Sequence, residues 1–494
     1  MTDTITPQGR GSSFIGQKSI SIFGLGPQQR SPYVSTVNRI NAVVEMTENG
    51  RQQAAIYGLP GMSQIVSVGS DPPRAFYMRE GELTIYFIAL NKFKKYVIGG
   101  SITELGTIPT SVGPAWISDN GTQLFVNDGT SAYIYNTSTL VWTQITDVDY
   151  PTGARGGTFL GGRFWVYTTS GVNAGRVYAS DQYAGLAWDG LNFFTPEAIP
   201  DGIMAVERWF NDLVVFGRSS IEWWSAVSVT LAGSLGFQPV TGANTEVGLV
   251  GELAIGRAGQ KMMFLGRSKG QAGVYEIANY AAKPVSNPAI DDDISKRVGH
   301  ATCVATGFMV GNHPIIQFSF RGSTVLDSIT WAIDVSNGLW CKRESYQKAY
   351  YRGLFAVTTV ERIFMSDAFT GIIYEVLGDV YTEGSDPLIF EITSIHLLKE
   401  GDMLTVHSLQ VDCETGLGAP GSNPQAIIQI SKDGGHTWSS EAWVTMIGKT
   451  GEYTRRVRRR RIGAARDIAI RFRITDPVKR VVTGAYILAE PGLS

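Results

Sequence analysis

The feature that most constrains this chain is a loose repeat that begins near residue 60. Each copy opens on a polar or glycine turn and runs into a short apolar strand. A second turn and a second strand follow. The copies read Glu80-Gly81-Glu82-Leu83-Thr84-Ile85-Tyr86, Asn120-Gly121-Thr122-Gln123-Leu124-Phe125-Val126 and Gly161-Gly162-Arg163-Phe164-Trp165-Val166. Phe210-Asn211-Asp212-Leu213, Gly259-Gln260-Lys261-Met262, Gly311-Asn312-His313-Pro314-Ile315 and Val360-Glu361-Arg362-Ile363 continue it. With Leu83, Leu124, Phe164, Leu213, Met262, Ile315 and Ile363 as markers, the gaps are 41, 40, 49, 49, 53 and 48 residues. Partner strands such as Ala132-Tyr133-Ile134-Tyr135 and Ile221-Glu222-Trp223-Trp224 follow most markers.

Repeats of this length, with about four strands each, are the mark of a β-propeller. One four-stranded blade cannot cover its own apolar faces. Stacking blades around an axis covers both, and closing the ring removes most exposed edges. The strand runs are short and bounded by Gly, Asn and Asp, and helical periodicity is almost absent. Composition agrees: 57 Gly, 22 Phe, 20 Tyr and 11 Trp in 494 residues, with 17% charged residues, below the ~25% usual for soluble domains. Sheets joined by tight turns, with much of the surface meeting other protein, fit these values.

The expectation is an all-β chain: an extended N-terminal arm (1–58), a β-propeller of six or seven blades (59–394) and a C-terminal β-sandwich (395–494). A pair of β-sandwiches with accidental similarity is the alternative. Strands are expected at 404–413, 426–431, 468–474 and 481–489 of the last domain.

Chemistry is sparse. Cys303, Cys341 and Cys413 are far apart and odd in number, and the five histidines are scattered. Neither set has metal-ligand spacing, so no metal, cofactor or disulfide framework is expected, and the chain fits a reducing compartment. The first residues show no secretory signal pattern, and no apolar run approaches the ~20 residues of a membrane helix. Asp291-Asp292-Asp293 lacks the further ligands calcium needs and reads as a solvated loop. No catalytic constellation is expected.

Two motifs stand out near the end. Ser431-Lys432-Asp433-Gly434-Gly435-His436-Thr437-Trp438 fits the Asp-box pattern. The Asp carboxylate accepts turn N–H groups, glycine relieves the backbone and Trp packs beneath the hairpin. Ser431, Asp433, Gly435, Thr437 and Trp438 are therefore read as a structural turn. The other motif is Arg455-Arg456-Val457-Arg458-Arg459-Arg460-Arg461. On a strand, Arg456, Arg458 and Arg460 face one way, and Arg455, Arg459 and Arg461 the other. Neither face is expected to be buried, because an unpaired buried guanidinium is too costly. The run belongs in solvent as an edge blunted by charge, against a partner's carboxylates, or against phosphate. The six arginines are the candidate partner-binding residues. Because the whole chain carries 42 Lys plus Arg against 44 Asp plus Glu, its cationic charge is concentrated, which suits one docking patch.

Several of these stretches resemble one family. Asn38-Arg39-Ile40-Asn41 with Ala54-Ala55-Ile56-Tyr57-Gly58-Leu59-Pro60-Gly61 is similar to its opening. Phe159 to Val166 and Val177 to Asp181 are similar to its blades. Val411 to Gly416, Ser431 to Gly435, Ile447 to Tyr453, Arg459 to Gly463 and Arg473 to Val478 carry the most specific resemblance. The family is the packaged-DNA stabilisation proteins, or tail hubs (nozzles), of short-tailed bacteriophages. The density of arginine at 455–461 is heavier than the family pattern. The resemblance implies a non-enzymatic protein of the virion tail, assembled in the bacterial host cytoplasm. It implies a homo-oligomeric, hexameric ring below the portal and its adaptor, which extends the DNA channel and retains packaged DNA until ejection. A tail needle or plug and tailspikes or fibres would attach to it, and genomic DNA would pass through without sequence-specific contact. A near-neutral chain suits a conduit, since each neutralised phosphate adds affinity. A glycan-binding or glycan-hydrolysing, sialidase-like propeller is the alternative, prompted by the Asp box and the aromatics.

Overall fold

The computed structural model describes residues 18–20, 23, 29–31, 33–46, 54–79, 81–196, 198–226, 236–322, 324, 326–359, 361–398, 402–418, 421–441 and 443–491. The chain forms two compact units, one of residues 59–389 and one of residues 1–58 with 390–494.

Within the first unit, the described residues form seven sheets whose blade strands run antiparallel. Blades 1 to 6 occupy residues 73–107, 116–144, 155–194, 203–245, 248–284 and 304–343. Blade 7 combines Gly353–Thr358, Ile363–Asp367 and Gly371–Leu377 with Gly61–Gly69, a strand from the start of the unit. The first strand of the unit thus closes the ring. Phe164, Leu213, Met262, Ile315 and Ile363 each lie on the second strand of a blade, Leu124 does the same, and Leu83 directly precedes one.

Alternation explains how blades stack. On the second strand of blade 2, Leu124 and Val126 pack toward blade 1, against Tyr86, Ile88 and Phe93. Phe125, between them, packs toward blade 3 with Phe164 and Val166. Trp165 and Tyr167 then meet Leu213, Val215 and Trp224 of blade 4. Phe364 and Ile373 of blade 7 return to Ile85 and Phe87 of blade 1. Each fully buried side chain of this kind contributes roughly 1.5–3 kcal/mol. No blade keeps a dry face of its own, so the wheel is stable only when closed.

The aspartates at 291–293 correct the sequence expectation: they lie on a helix, Pro288–Ser295, and not in a loop. Asn287 caps it by accepting from the amides of Ala289 and Ile290, and Pro288 starts it. Asp292 pairs with Lys296, Asp293 with Arg297 and the Trp331 indole, and Asp291 accepts from Ser286.

The second unit holds a sheet ordered Ala42–Met46, Ala54–Gly58, Val481–Pro491, Leu404–Cys413, Val457–Ala465, with Lys18–Ile20 also pairing with Val481–Pro491. A second set pairs Asn38–Ile40, Phe390–Thr393, Asp467–Ile474, Gln425–Ser431 and Val444–Met446. Val406, Leu409, Val411 and Val457 of the first, and Ile428, Ile430, Ile470 and Phe472 of the second, are buried. Of the segment expected as an arm, residues 38–46 and 54–58 are strands paired within this unit. Residues 1–17 lie outside those described.

Candidate functional site

Two places in the molecule gather exposed chemistry. The first is a mouth of the propeller axis. Innermost strands begin there, so each blade delivers its opening residues to one rim. A cavity of about 600 Å³ is lined by Arg74, Arg155, Glu252, Arg321, Phe355 and Cys303, among others. Arg155 opens the innermost strand of blade 3 and donates from Nη2 to Glu252 Oε2, before the innermost strand of blade 5, at 2.6 Å. Its guanidinium also lies 5.4 Å from the Trp116 ring centroid. Arg74 is structural. It donates to the carbonyls of Leu90, Thr110 and Val112 at 2.9, 2.6 and 2.7 Å, tying blade 1 to the loop entering blade 2. Asp128 holds the same loop through the Thr110 amide at 2.9 Å. Its bonds to Ser131, Thr110 and Thr130 outweigh burial and lower its pKa. Burial pushes the Cys303 thiol well up, out of the reactive range. The sequence reading missed this rim. Its charges are single residues spread over some 250 positions, and only the phase of the blades brings them together.

The second place is the arginine run. Val457–Ala465 is a terminal strand of its sheet, paired on one side with Leu404–Cys413. Arg459 corrects the sequence expectation, because its side chain is buried. Nη1 donates to the Ile428 carbonyl, and the guanidinium lies 4.4 Å from the Trp443 ring centroid. Burial draws its pKa down to about 10, so it remains charged at neutral pH and is held by a carbonyl and an aromatic face instead of a carboxylate. Arg458 and Arg460 alternate with buried Val457 and Arg459, but Arg461 departs from alternation. The register slips between Val406↔Gly463 and Ser408↔Arg460, leaving an extra residue on the arginine strand. Arg461 takes a left-handed φ of 57° at this bulge. The bulge turns Arg461 outward beside Arg460 and brings Ile462 inward. Arg455, Arg456, Arg460 and Arg461 are exposed and Arg458 is half-buried.

The Asp-box residues form the turn read from the sequence. Asp433 accepts from the Thr437 amide at 2.9 Å and from its hydroxyl at 2.5 Å, and Ser431 Oγ donates to it at 2.6 Å. Ser431 Oγ also accepts from the Gly435 amide at 2.8 Å. The Ser431 and Thr437 bonds hold the Asp433 carboxyl well below the usual carboxylate range. Trp438 is half-buried, with the Arg471 guanidinium 4.0 Å from its ring centroid. The hydrogen bonds of Ser431 and Asp433 close the turn on itself. Asp433→Ala is expected to speed hydrogen exchange at the Thr437 amide by about tenfold or more while the melting temperature barely moves. Unchanged exchange would show that the turn holds without the carboxylate.

Comparison with known families decides the class. Residues 19–381 match the model described as Bacteriophage P22 Gp10, beta-propeller. Residues 389–490 match the model described as Bacteriophage P22 Gp10, beta-sandwich. The chain belongs to this family. Family members thus pair a propeller with a C-terminal sandwich, as this fold does. The tail hub protein gp10 of Salmonella phage P22 is 25% identical over 236 residues, which cover 45% of this chain and 48% of that relative. The match therefore spans about half of the relative's length. Among solved structures, the computationally designed protein Ika8 aligns with a TM-score of 0.39 at 8% identity, covering 64% of this chain and 99% of Ika8. PorZ, from the type-IX secretion system of Porphyromonas gingivalis, aligns with a TM-score of 0.36 at 10% identity, covering 71% of this chain and 44% of PorZ. Neither likeness carries a functional argument.

Proposed function

We propose that this chain is a structural component of a phage tail, a hub attached below the portal and its adaptor. The observation that supports it is the family match over both domains, together with a relative named as a tail hub. In this reading the protein is non-enzymatic. Copies close head-to-tail into a six-fold ring that extends the DNA channel and retains packaged DNA until ejection. Needle or plug, tailspikes or fibres would attach to that ring, and assembly would take place in the host cytoplasm. The charge balance supports the conduit role: a net charge of −2 offers passing phosphates no general cationic lining. Low charge and abundant aromatics suit a subunit that buries much of its surface against copies and partners.

Mixing the protein with the cognate portal–adaptor complex should yield a six-fold ring beneath the portal in negative-stain images. A protein that stays monomeric and leaves the complex undecorated would contradict the proposal.

A further inference from the structure

Many arginines elsewhere in this fold meet a carboxylate. Arg79 meets Asp119, Arg155 meets Glu252, Arg257 meets Glu207, Arg362 meets Glu375 and Arg473 meets Glu391. The strand at 457–465 and its approach break that habit. Among the described residues, Arg455, Arg456, Arg458, Arg460 and Arg461 have no side-chain hydrogen bond or ion pair. Lys432 adds a further cation, its Nζ standing 2.7 Å from where a Cβ on Gly463 would lie. A folded chain that leaves five like charges together gains nothing from their mutual repulsion.

Backbone geometry narrows what would settle there. Among the described residues this strand has one strand neighbour, Leu404–Cys413, so its other edge presents open N–H and C=O groups. Next to its start lies a polar hollow of about 450 Å³, lined by Arg455, Arg456, Tyr453, Thr415, Gln410 and Asp412, among others. A phosphate backbone would use the guanidinium groups but offers no N–H for the open carbonyls. Aromatics placed to stack on bases are not interleaved along the run. An extended acidic polypeptide uses both. Its backbone continues the sheet, and carboxylates on alternate residues stand opposite Arg458 and Arg460 as cross-strand pairs.

We infer that the open edge of Val457–Ala465 is a docking site for an acidic, extended segment of another protein, bound by strand addition. The bulge at Arg461 fits this role, because it places Arg460 and Arg461 side by side on the outer face. The inference rests on the tail-hub reading only for where that segment comes from. The assay below contains no tail component, so its failure is distinct from a missing ring.

The test is fluorescence anisotropy on the full chain with three labelled probes of equal charge: an alternating Glu-Thr peptide, an alternating Glu-Pro peptide and single-stranded DNA. The Glu-Thr peptide should bind in a salt-sensitive manner and protect amides of residues 457–461 from hydrogen exchange. The Glu-Pro peptide, which lacks every second N–H and favours a polyproline II twist over a flat strand, should bind about tenfold or more weakly. Arg456→Ser/Arg458→Ser/Arg460→Ser should weaken the Glu-Thr peptide about tenfold or more with an unchanged melting temperature. The matching triple Lys variant should recover most of the affinity. Equal binding of the two peptides, tighter binding of DNA, or an unprotected edge would overturn the inference. No binding at all would mean that the arginines only blunt the edge.

Discussion

Gly307→Ala is expected to destabilise the propeller by at least about 3 kcal/mol, enough to deplete soluble protein. Gly307 lies on Val304–Val310, the innermost strand of blade 6. A Cβ there would stand 1.8 Å from the carbonyl oxygen of Arg257, on the innermost strand of blade 5. The obstacle is backbone, so no side chain can swing aside. The two strands would have to separate near the axis, and that gap would propagate to Ile316, Ala305 and Met263 in the core shared by blades 4 to 6. Gly378→Ala is the control: a Cβ there meets nothing within 4 Å, so its stability should stay within ~1 kcal/mol of the parent. Urea unfolding of both variants checks this. A Gly307→Ala protein as stable as its parent would mean that neighbouring blades are not in such close approach.

The second large effect concerns the closure of the ring. Thr382–Glu383 pairs in parallel with Met62 on the closing strand. Glu383 is fully buried there, with Arg343, Ser345, Tyr351, Arg352 and Asp386 around it. Arg352 gives its Nη1 to the Glu383 backbone carbonyl at 2.9 Å and its Nη2 to Asp386 at 2.9 Å. Burial outweighs the nearby cations and pushes the Glu383 carboxyl up to about 7. A carboxyl whose folded pKa exceeds its unfolded value binds its proton more tightly when folded. Stability is therefore greatest below the ordinary carboxylate range, and falls as pH rises toward 7. The loss from this group is on the order of 3 kcal/mol and levels off above pH 7. Burial also raises Glu207, Glu222 and Asp291, so the comparison must be made by difference. Glu383→Gln should lose less stability between pH 5 and 8 than the parent, by roughly that amount. Parallel pH profiles in urea unfolding would remove Glu383 from the account.

The architecture was legible wherever one residue sets one strand. Leu124, Phe164, Leu213, Met262, Ile315 and Ile363 mark second strands because a turn glycine, asparagine or aspartate and an apolar run recur together. The Asp box was legible for the same reason, since its contacts are local. Features that depend on distant partners were not. Nothing near Arg459 announces that Ile428 and Trp443 will receive it. The bulge at Arg461 reflects how two strands register, and alternation alone put that residue on the wrong face. The Arg155–Glu252 bridge joins positions 97 apart in sequence. At Asp291 to Asp293, acidic residues suggested a loop, whereas Asn287 and Pro288 held the helix-start signal.

The measurement that bears most directly on the whole account is a cryo-EM map of the cognate virion tail. The account predicts a closed six-fold ring beneath the portal and adaptor, each subunit showing a seven-bladed wheel and a β-sandwich. A tail whose ring is built from another fold, with this protein absent from the map, would contradict it.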